Sequence, residues 1–377
     1  MSKVQLLARH GRLSPSSRQR MLAYVPHLQE AGCEVTCAPL FPDEILHSQY
    51  NGERRSKLLV AKSYARRLSQ LLRSDDYDCL WIEVELLPYL PYGIEKLLLR
   101  RRPYVLDIDD AWFHRYQTSR NPAVRVLLGQ KLPRLMRGAC EVVVGSPYLE
   151  DYALKAGAPH VTCLPTAVDV SRYETASSRR GEETIIGWIG TPSNEQYVHM
   201  IREVLADVCR VRKARFRAIG ARPIDMPEVP TDFRLWSEEN EARDLSEIDI
   251  GIMPLTDGVW ERGKCGYKLI QYMAASRVAI ASAVGANASI VDHGVTGFLA
   301  NSAEAWRKHL LQLIDDSSLR ERMGRQARRV AEAKFDISQM VPKIQMALQR
   351  PTASLPAGHA SPRVQEAYGS SAPVCRT

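Results

Sequence analysis

The stretch Trp260-Glu261-Arg262-Gly263-Lys264-Cys265-Gly266-Tyr267-Lys268-Leu269-Ile270-Gln271-Tyr272-Met273-Ala274 decides how the chain reads. Before it, Ile248–Met253 is a short apolar run that predicts a buried strand. After the two glycines, residues 266–275 carry a helical pattern. Strand, glycine-bearing loop and helix form a unit with a specific capacity. Glycine lets backbone approach a ligand closely. The first turn of the helix offers unpaired N–H groups and the positive end of a dipole, which suit a diphosphate. Lys264 and Lys268 are four residues apart and can share one face near that turn. A glycine-capped helix with solvated lysines is the alternative reading of the same spacing.

Outward from this unit, strands and helices alternate in both directions. On the N-terminal side, Val4–Ala8, Glu34–Ala38, Cys79–Val84, Tyr104–Asp107, Val142–Gly145 and Val161–Leu164 read as strands. Residues 16–31, 56–73, 122–137 and Tyr148–Ala156 read as helices between them. Residues 165–183 turn polar and read as a linker. Alternation then resumes with strands Ile185–Ile189, Phe216–Gly220, Ile248–Met253 and Val278–Ser282 and helices 193–209, 266–275, 302–316, 317–334 and 336–349. Such alternation implies βαβ units on parallel sheets. The expected organisation is α/β: two Rossmann-like, doubly wound domains, 1–175 and 184–335, facing a cleft. A helix at 336–349 is expected to pack back toward the first domain, with a disordered tail at 350–377. Ligands in open sheets of this kind bind beyond the carboxyl ends of the strands.

The quoted segment resembles the donor-binding helix of family 4 glycosyltransferases, which have the GT-B fold. Other segments agree with it in order. Ile186-Gly187-Trp188-Ile189-Gly190-Thr191-Pro192 is similar to the first strand and phosphate loop of that family's C-terminal domain. Leu164-Pro165-Thr166-Ala167-Val168-Asp169, with Tyr173, resembles its interdomain LPNGVD segment. Asp249–Leu255 resembles the strand before the donor loop, and Gly285 with His293–Leu299 the loop and strand after it. The resemblance implies sugar transfer from a nucleotide diphosphate sugar, as co-substrate and with no further cofactor, with retention of configuration. It implies a hexosyltransferase that needs no metal. Glycan or glycolipid assembly is the implied setting; separately, the scattered thiols suit a reducing cytoplasm, and the basic runs described below suit the inner face of a membrane. Backbone amides at Gly190-Thr191 and Gly263–Gly266, with Lys264 and Lys268, would stabilise the departing diphosphate. Cys265 and Tyr267 fall in the same donor-binding run.

One departure matters. Many members carry two glutamates separated by seven residues, and these positions are Gly263 and Gln271 here. Gln271 can still donate to and accept from ribose hydroxyls. Gly263 has no side chain, and Glu261 is the candidate to replace it. Trp236, after a strand-ending Arg234-Leu235, is either a stacking platform for the nucleobase or a core residue.

In the first half, Asp107-Ile108-Asp109-Asp110 ends a strand. A DxD can hold a metal through oxygen, but that metal site belongs to the other glycosyltransferase fold. A DxDx[TV] phosphotransfer motif fails at Ala111. The third reading, an acceptor-side loop facing the cleft, is preferred. His114 follows as a candidate to bind the donor sugar or activate an acceptor hydroxyl, against a plain surface histidine. Gly11, Arg12 and Ser14 lie in the loop after the first strand, as a lip over donor or acceptor or as an ordinary cap for the next helix.

Composition narrows the function further. The 377 residues carry a net charge of +8, and residues 1–180 hold 26 Lys and Arg against 19 Asp and Glu. Residues 54–74 and 111–140 are basic and acid-free. In the expected acceptor domain they point to a glycan, lipid-linked or small-molecule acceptor and to an anionic membrane surface. Solvated helix faces explain each run equally well alone. A nucleic-acid partner is not expected, since no binding motif accompanies the charge. A different GT-B enzyme, an epimerase or hydrolase acting on nucleotide sugars, would want clearer paired carboxylates. The eight cysteines form no CxxC pair and predict free thiols. The N-terminal apolar run is too short for a signal peptide.

Overall fold

The computed structural model describes residues 2–72, 76–100, 102–173 and 183–353. The polar centre of the expected linker (174–182) and most of the expected tail (354–377) lie outside the described residues. The first half forms strands β1 (Lys3–Leu7), β2 (Glu34–Cys37), β3 (Cys79–Glu83), β4 (Tyr104–Ile108), β5 (Glu141–Val144) and β6 (Val161–Cys163). They make one parallel sheet in the order β2-β1-β3-β4-β5-β6. The second half supplies β7 (Thr184–Ile189), β8 (Ala214–Ile219), β9 (Thr231–Arg234), β10 (Ile250–Met253), β11 (Val278–Ala281) and β12 (Gly297–Leu299). These pair in parallel as β12-β11-β10-β7-β8-β9. β3, β4 and β5 are buried along their whole length, as are β7 and β10. Helices cover both faces of the sheets, which is why these strands read as near-continuous apolar runs. This is the two-domain GT-B architecture.

Several expected helices are broken. Residues 16–31 divide into Pro15–Arg20, a 3-10 turn at Leu22–Tyr24 and Val25–Glu30. Pro26 stands in the first turn of the last piece, and it can neither donate an N–H nor continue a preceding helix. Residues 122–137 split into Pro122–Leu128 and Lys131–Gly138, and 193–209 divides likewise. Helices Asp43–Tyr50, Tyr92–Leu99 and Glu241–Ser246 were not anticipated. The last helix, Ile337–Ala353, returns to the first sheet. Ile337, Met340, Ile344, Ala347 and Leu348 share a core with Val4, Leu6, Val105 and Val143. A bridge between Val168 and Asp336 ties the outgoing and returning chains.

The basic runs need correcting as surfaces. Arg67 is buried and donates to the carbonyls of Ala8 and Ala38. Lys131 is fully buried between Glu85, at 2.6 Å, and Glu95, at 2.8 Å. Both cations are therefore structural. On the helix Lys57–Leu72, Ser63, Arg67 and Leu71 face inward, while Leu58 and Leu72 are exposed. The inward Arg67 guanidinium gives the buried Ala8 carbonyl a second donor beside the Leu40 N–H, and reaches the Ala38 carbonyl as well.

Candidate active site

The carboxyl ends of both sheets open onto one cavity of about 540 Å³. Its C-terminal wall begins at the loop after β7, where Gly190 and Thr191 line it. Beside them stands the helix Tyr267–Ala274, the predicted donor helix. Gly266 caps this helix with φ +67°, a left-handed conformation that glycine adopts without strain. Lys264, Cys265, Gly266, Tyr267, Lys268 and Gln271 all line the cavity. The Lys268 ammonium sits 5.4 Å from the centre of the Trp188 ring. Burial, and then the neighbouring Lys264, push the pKa of Lys268 down to about 7. The Lys264 ammonium lies 3.9 Å from an Asp110 carboxylate oxygen and over the Trp260 ring.

Gln271 is buried and donates to the Tyr173 hydroxyl at 3.4 Å, and Tyr173 in turn meets Glu241 at 3.5 Å. Trp236 is half-buried, packed against the edge of the second domain's core and lining the cavity. Its indole N–H donates to Glu241 at 2.7 Å, and its ring face is covered by the Arg18 guanidinium at 4.2 Å. Arg18 belongs to the first domain and also reaches Glu241, at 3.3 Å. Beside it, Arg12 pairs with Glu238. A buried ionic and aromatic contact therefore joins the domains at the Trp236 end of the cavity. One face of Trp236 is already occupied in this arrangement, leaving only the other for a base.

The first domain contributes Asp109 and Asp110 from the end of β4, with Arg18 and Arg20 from the helix Pro15–Arg20. Asp107 is fully buried and accepts from Arg20 at 2.6 Å, so it braces β4. The Cys265 thiol donates to the Asp109 carbonyl at 2.6 Å, a second contact across the domains.

Several expected residues lie elsewhere. Gly11, Arg12, Ser14, Asp107, His114, Glu261 and Gly263 do not line this cavity. His114 pairs with the Tyr148 hydroxyl at 2.7 Å, and burial lowers its pKa. Glu261 accepts from the Tyr197 hydroxyl at 2.6 Å. Of the three residues expected to do chemistry, Lys264 alone lines the cavity. Sequence reading missed Arg18 and Glu241, because an arginine on one helix and an acid at the start of another carry no local signal of a partner 223 positions away. Among the described residues, no cluster of three His, Cys, Asp or Glu could hold a metal ion. No described helix is long and apolar enough to cross a membrane.

Comparison with known proteins decides the family. Residues 3–167 match the glycosyl transferase 4-like domain, and residues 183–316 match glycosyl transferases group 1. The chain belongs to these glycosyltransferases. Similar solved structures share the fold. Sucrose-phosphate synthase from Thermosynechococcus elongatus superposes with a TM-score of 0.70 at 13% identity, over 94% of this chain and 100% of that one. The Anabaena protein Alr3699/HepE, solved with UDP and glucose, gives 0.66 at 14% identity, over 94% and 100%. A glycosyltransferase from Rickettsia africae gives 0.64 at 12%, over 94% and 99%. No curated protein sequence matches the chain significantly.

Proposed function

We propose that this glycosyltransferase binds a nucleoside diphosphate sugar in the cleft and passes its sugar, a hexose, to an acceptor hydroxyl with retention of configuration. The carrying observation is the convergence of Lys264, Lys268 and the capped end of the helix Tyr267–Ala274 on one cavity wall, facing Gly190-Thr191. As the bond to the sugar breaks, negative charge grows on the diphosphate. Fixed cations and amide dipoles in a half-buried cleft stabilise that charge more than water does. Two ammonium groups supply the positive charge, so the reading calls for no metal ion. Gln271 is positioned for the ribose. The base would lie toward Trp236 and Leu235. UDP in the Anabaena complex supports a nucleoside diphosphate as ligand class, and the resemblance to family 4 supports retention.

A thermal-shift panel of nucleotide sugars tests this. A ligand at ~100 times its Kd stabilises the folded state by ~2.7 kcal/mol. At least one nucleotide sugar is expected to raise Tm, and a panel with no shift at millimolar ligand would overturn the proposal.

The acceptor is proposed to be membrane-borne and anionic, at the cytoplasmic face. Val126 is 82% exposed and Leu127 61% exposed, on a short helix edged by the exposed Arg120 and Arg125. Apolar tips with flanking arginines suit an anionic lipid surface. Flotation with anionic vesicles at low salt is expected to carry the protein, and absence of binding would favour a soluble acceptor.

A further inference from the structure

Gly263 stands where the resemblance to family 4 implies a glutamate, and packing excludes a side chain there. Its backbone is ordinary, with φ −80° and ψ −8°, so conformation does not demand glycine. Space does. A Cβ at 263 would sit 2.9 Å from the Ala111 nitrogen and on top of the Ala111 methyl. Ala111 is itself fully buried. The segment Asp109–Ala111 of the first domain therefore fills the volume into which a residue 263 side chain would extend. The same interlock places the Cys265 thiol on the Asp109 carbonyl and against Gly145, where any Cβ would collide with the sulfur.

This packing puts a different carboxylate at the site. Asp110 directly precedes Ala111, lines the cavity and lies 3.9 Å from the Lys264 ammonium. Among the described residues no group donates a hydrogen bond to its side chain. The Asp110 side chain is 23% exposed, into the cavity it lines, and one oxygen of the neighbouring Asp109 is buried without a partner. Buried carboxylate oxygens normally have donors, and their absence marks a place for a ligand's. A carboxylate can accept from two adjacent hydroxyls at once.

We propose that Asp110 is the carboxylate that reads the hydroxyls of the transferred sugar, supplied by the first domain because position 263 of the second has no room for one. The inference rests on the donor site proposed above. It makes the sugar pocket composite: nucleotide and diphosphate are held by the second domain, and the sugar is read by the first. Removing a carboxylate beside two lysines also leaves more positive charge for the diphosphate. The loss on mutation is therefore confined to the sugar.

The test compares binding of UDP with binding of a panel of UDP-hexoses by calorimetry, in wild type and Asp110→Asn. UDP-hexose binding by the variant is expected to weaken at least 10-fold, while its affinity for UDP stays within 3-fold or tightens. Equal affinity for UDP-hexose in both proteins would overturn the proposal, as would equal weakening of UDP and UDP-hexose. If UDP does not bind, the same comparison is made with the nucleoside diphosphate whose sugar raises Tm in the panel above; if no member of that panel binds, the donor-site reading itself fails, a different outcome. Asp110→Glu serves if the Asn variant does not fold. It keeps the charge and moves it by one methylene, so it should reorder the panel of hexoses at unchanged UDP affinity. An unaltered order would also count against Asp110.

Discussion

Lys264→Ala perturbs the charge at the centre of the mechanism. The side chain is 15% exposed, so solvent screens it little, and its ammonium stands 3.9 Å from Asp110, too far to be tied up in a hydrogen bond. It is free to meet a developing oxyanion. A hydrogen bond to a charged group contributes ~1.5–3 kcal/mol. At ~1.36 kcal/mol per tenfold in rate, kcat/KM for the donor should fall roughly 10- to 150-fold. The neighbouring lysine refines the expectation. Lys264 helps to depress the pKa of Lys268, so its removal lets Lys268 stay protonated at higher pH. The loss should therefore be largest near pH 7 and smaller at pH 8.5. Steady-state kinetics over donor concentration at both pH values is the assay. A change below 3-fold at pH 7 would remove Lys264 from the mechanism, and a loss that grows with pH would refute the coupling to Lys268.

Two further outcomes are expected. With Lys268 near pKa 7 in the free protein, nucleotide-sugar affinity should fall as pH rises above 7, by up to ~10-fold per unit where the ligand strongly favours the charged lysine. Calorimetric titrations from pH 6.5 to 9 would show this, and Lys268→Arg should flatten the profile. Arg18→Ala should cost about 3 kcal/mol in urea denaturation, because it leaves the buried Glu241 charge across the domain contact without its cation, with only the neutral Trp236 and Tyr173 donors. A cost below ~1 kcal/mol would mean that the contact does not hold in solution.

The alternation of strands and helices was legible because most of the strands are buried on both faces. Runs such as Glu141–Val144 and Thr184–Ile189 have no solvent side to hide in. Helix lengths were less legible, since one proline at position 26 outweighs a continuous apolar periodicity. Lys264 and Lys268 could be placed in a cleft because glycines and a helix start sit beside them in sequence. Asp107, Asp109 and Asp110 were read as an acceptor-side loop facing the cleft; Asp109 and Asp110 line the cavity, and Asp107 is buried against Arg20 instead. What stayed hidden is contact between domains. Nothing around Gly263 says that Ala111 presses on it, and nothing around Arg18 says that Glu241 answers it. Chain distance erases such pairs from local pattern. Burial also hid the fate of the basic excess, because Arg67 and Lys131 look like surface cations until their partners are seen.

The central claim is that the diphosphate of a sugar nucleotide lies between Gly190-Thr191 and the Gly266 end of the donor helix. A crystal structure with a bound nucleoside diphosphate measures this directly. Both phosphates are expected within hydrogen-bond reach of the Thr191 amide, of the first-turn amides of the donor helix and of the Lys264 and Lys268 ammonium groups, the Gly190 amide being already bonded to the Ile219 carbonyl. A nucleotide bound elsewhere, or with its phosphates turned out to solvent away from both lysines, would contradict it.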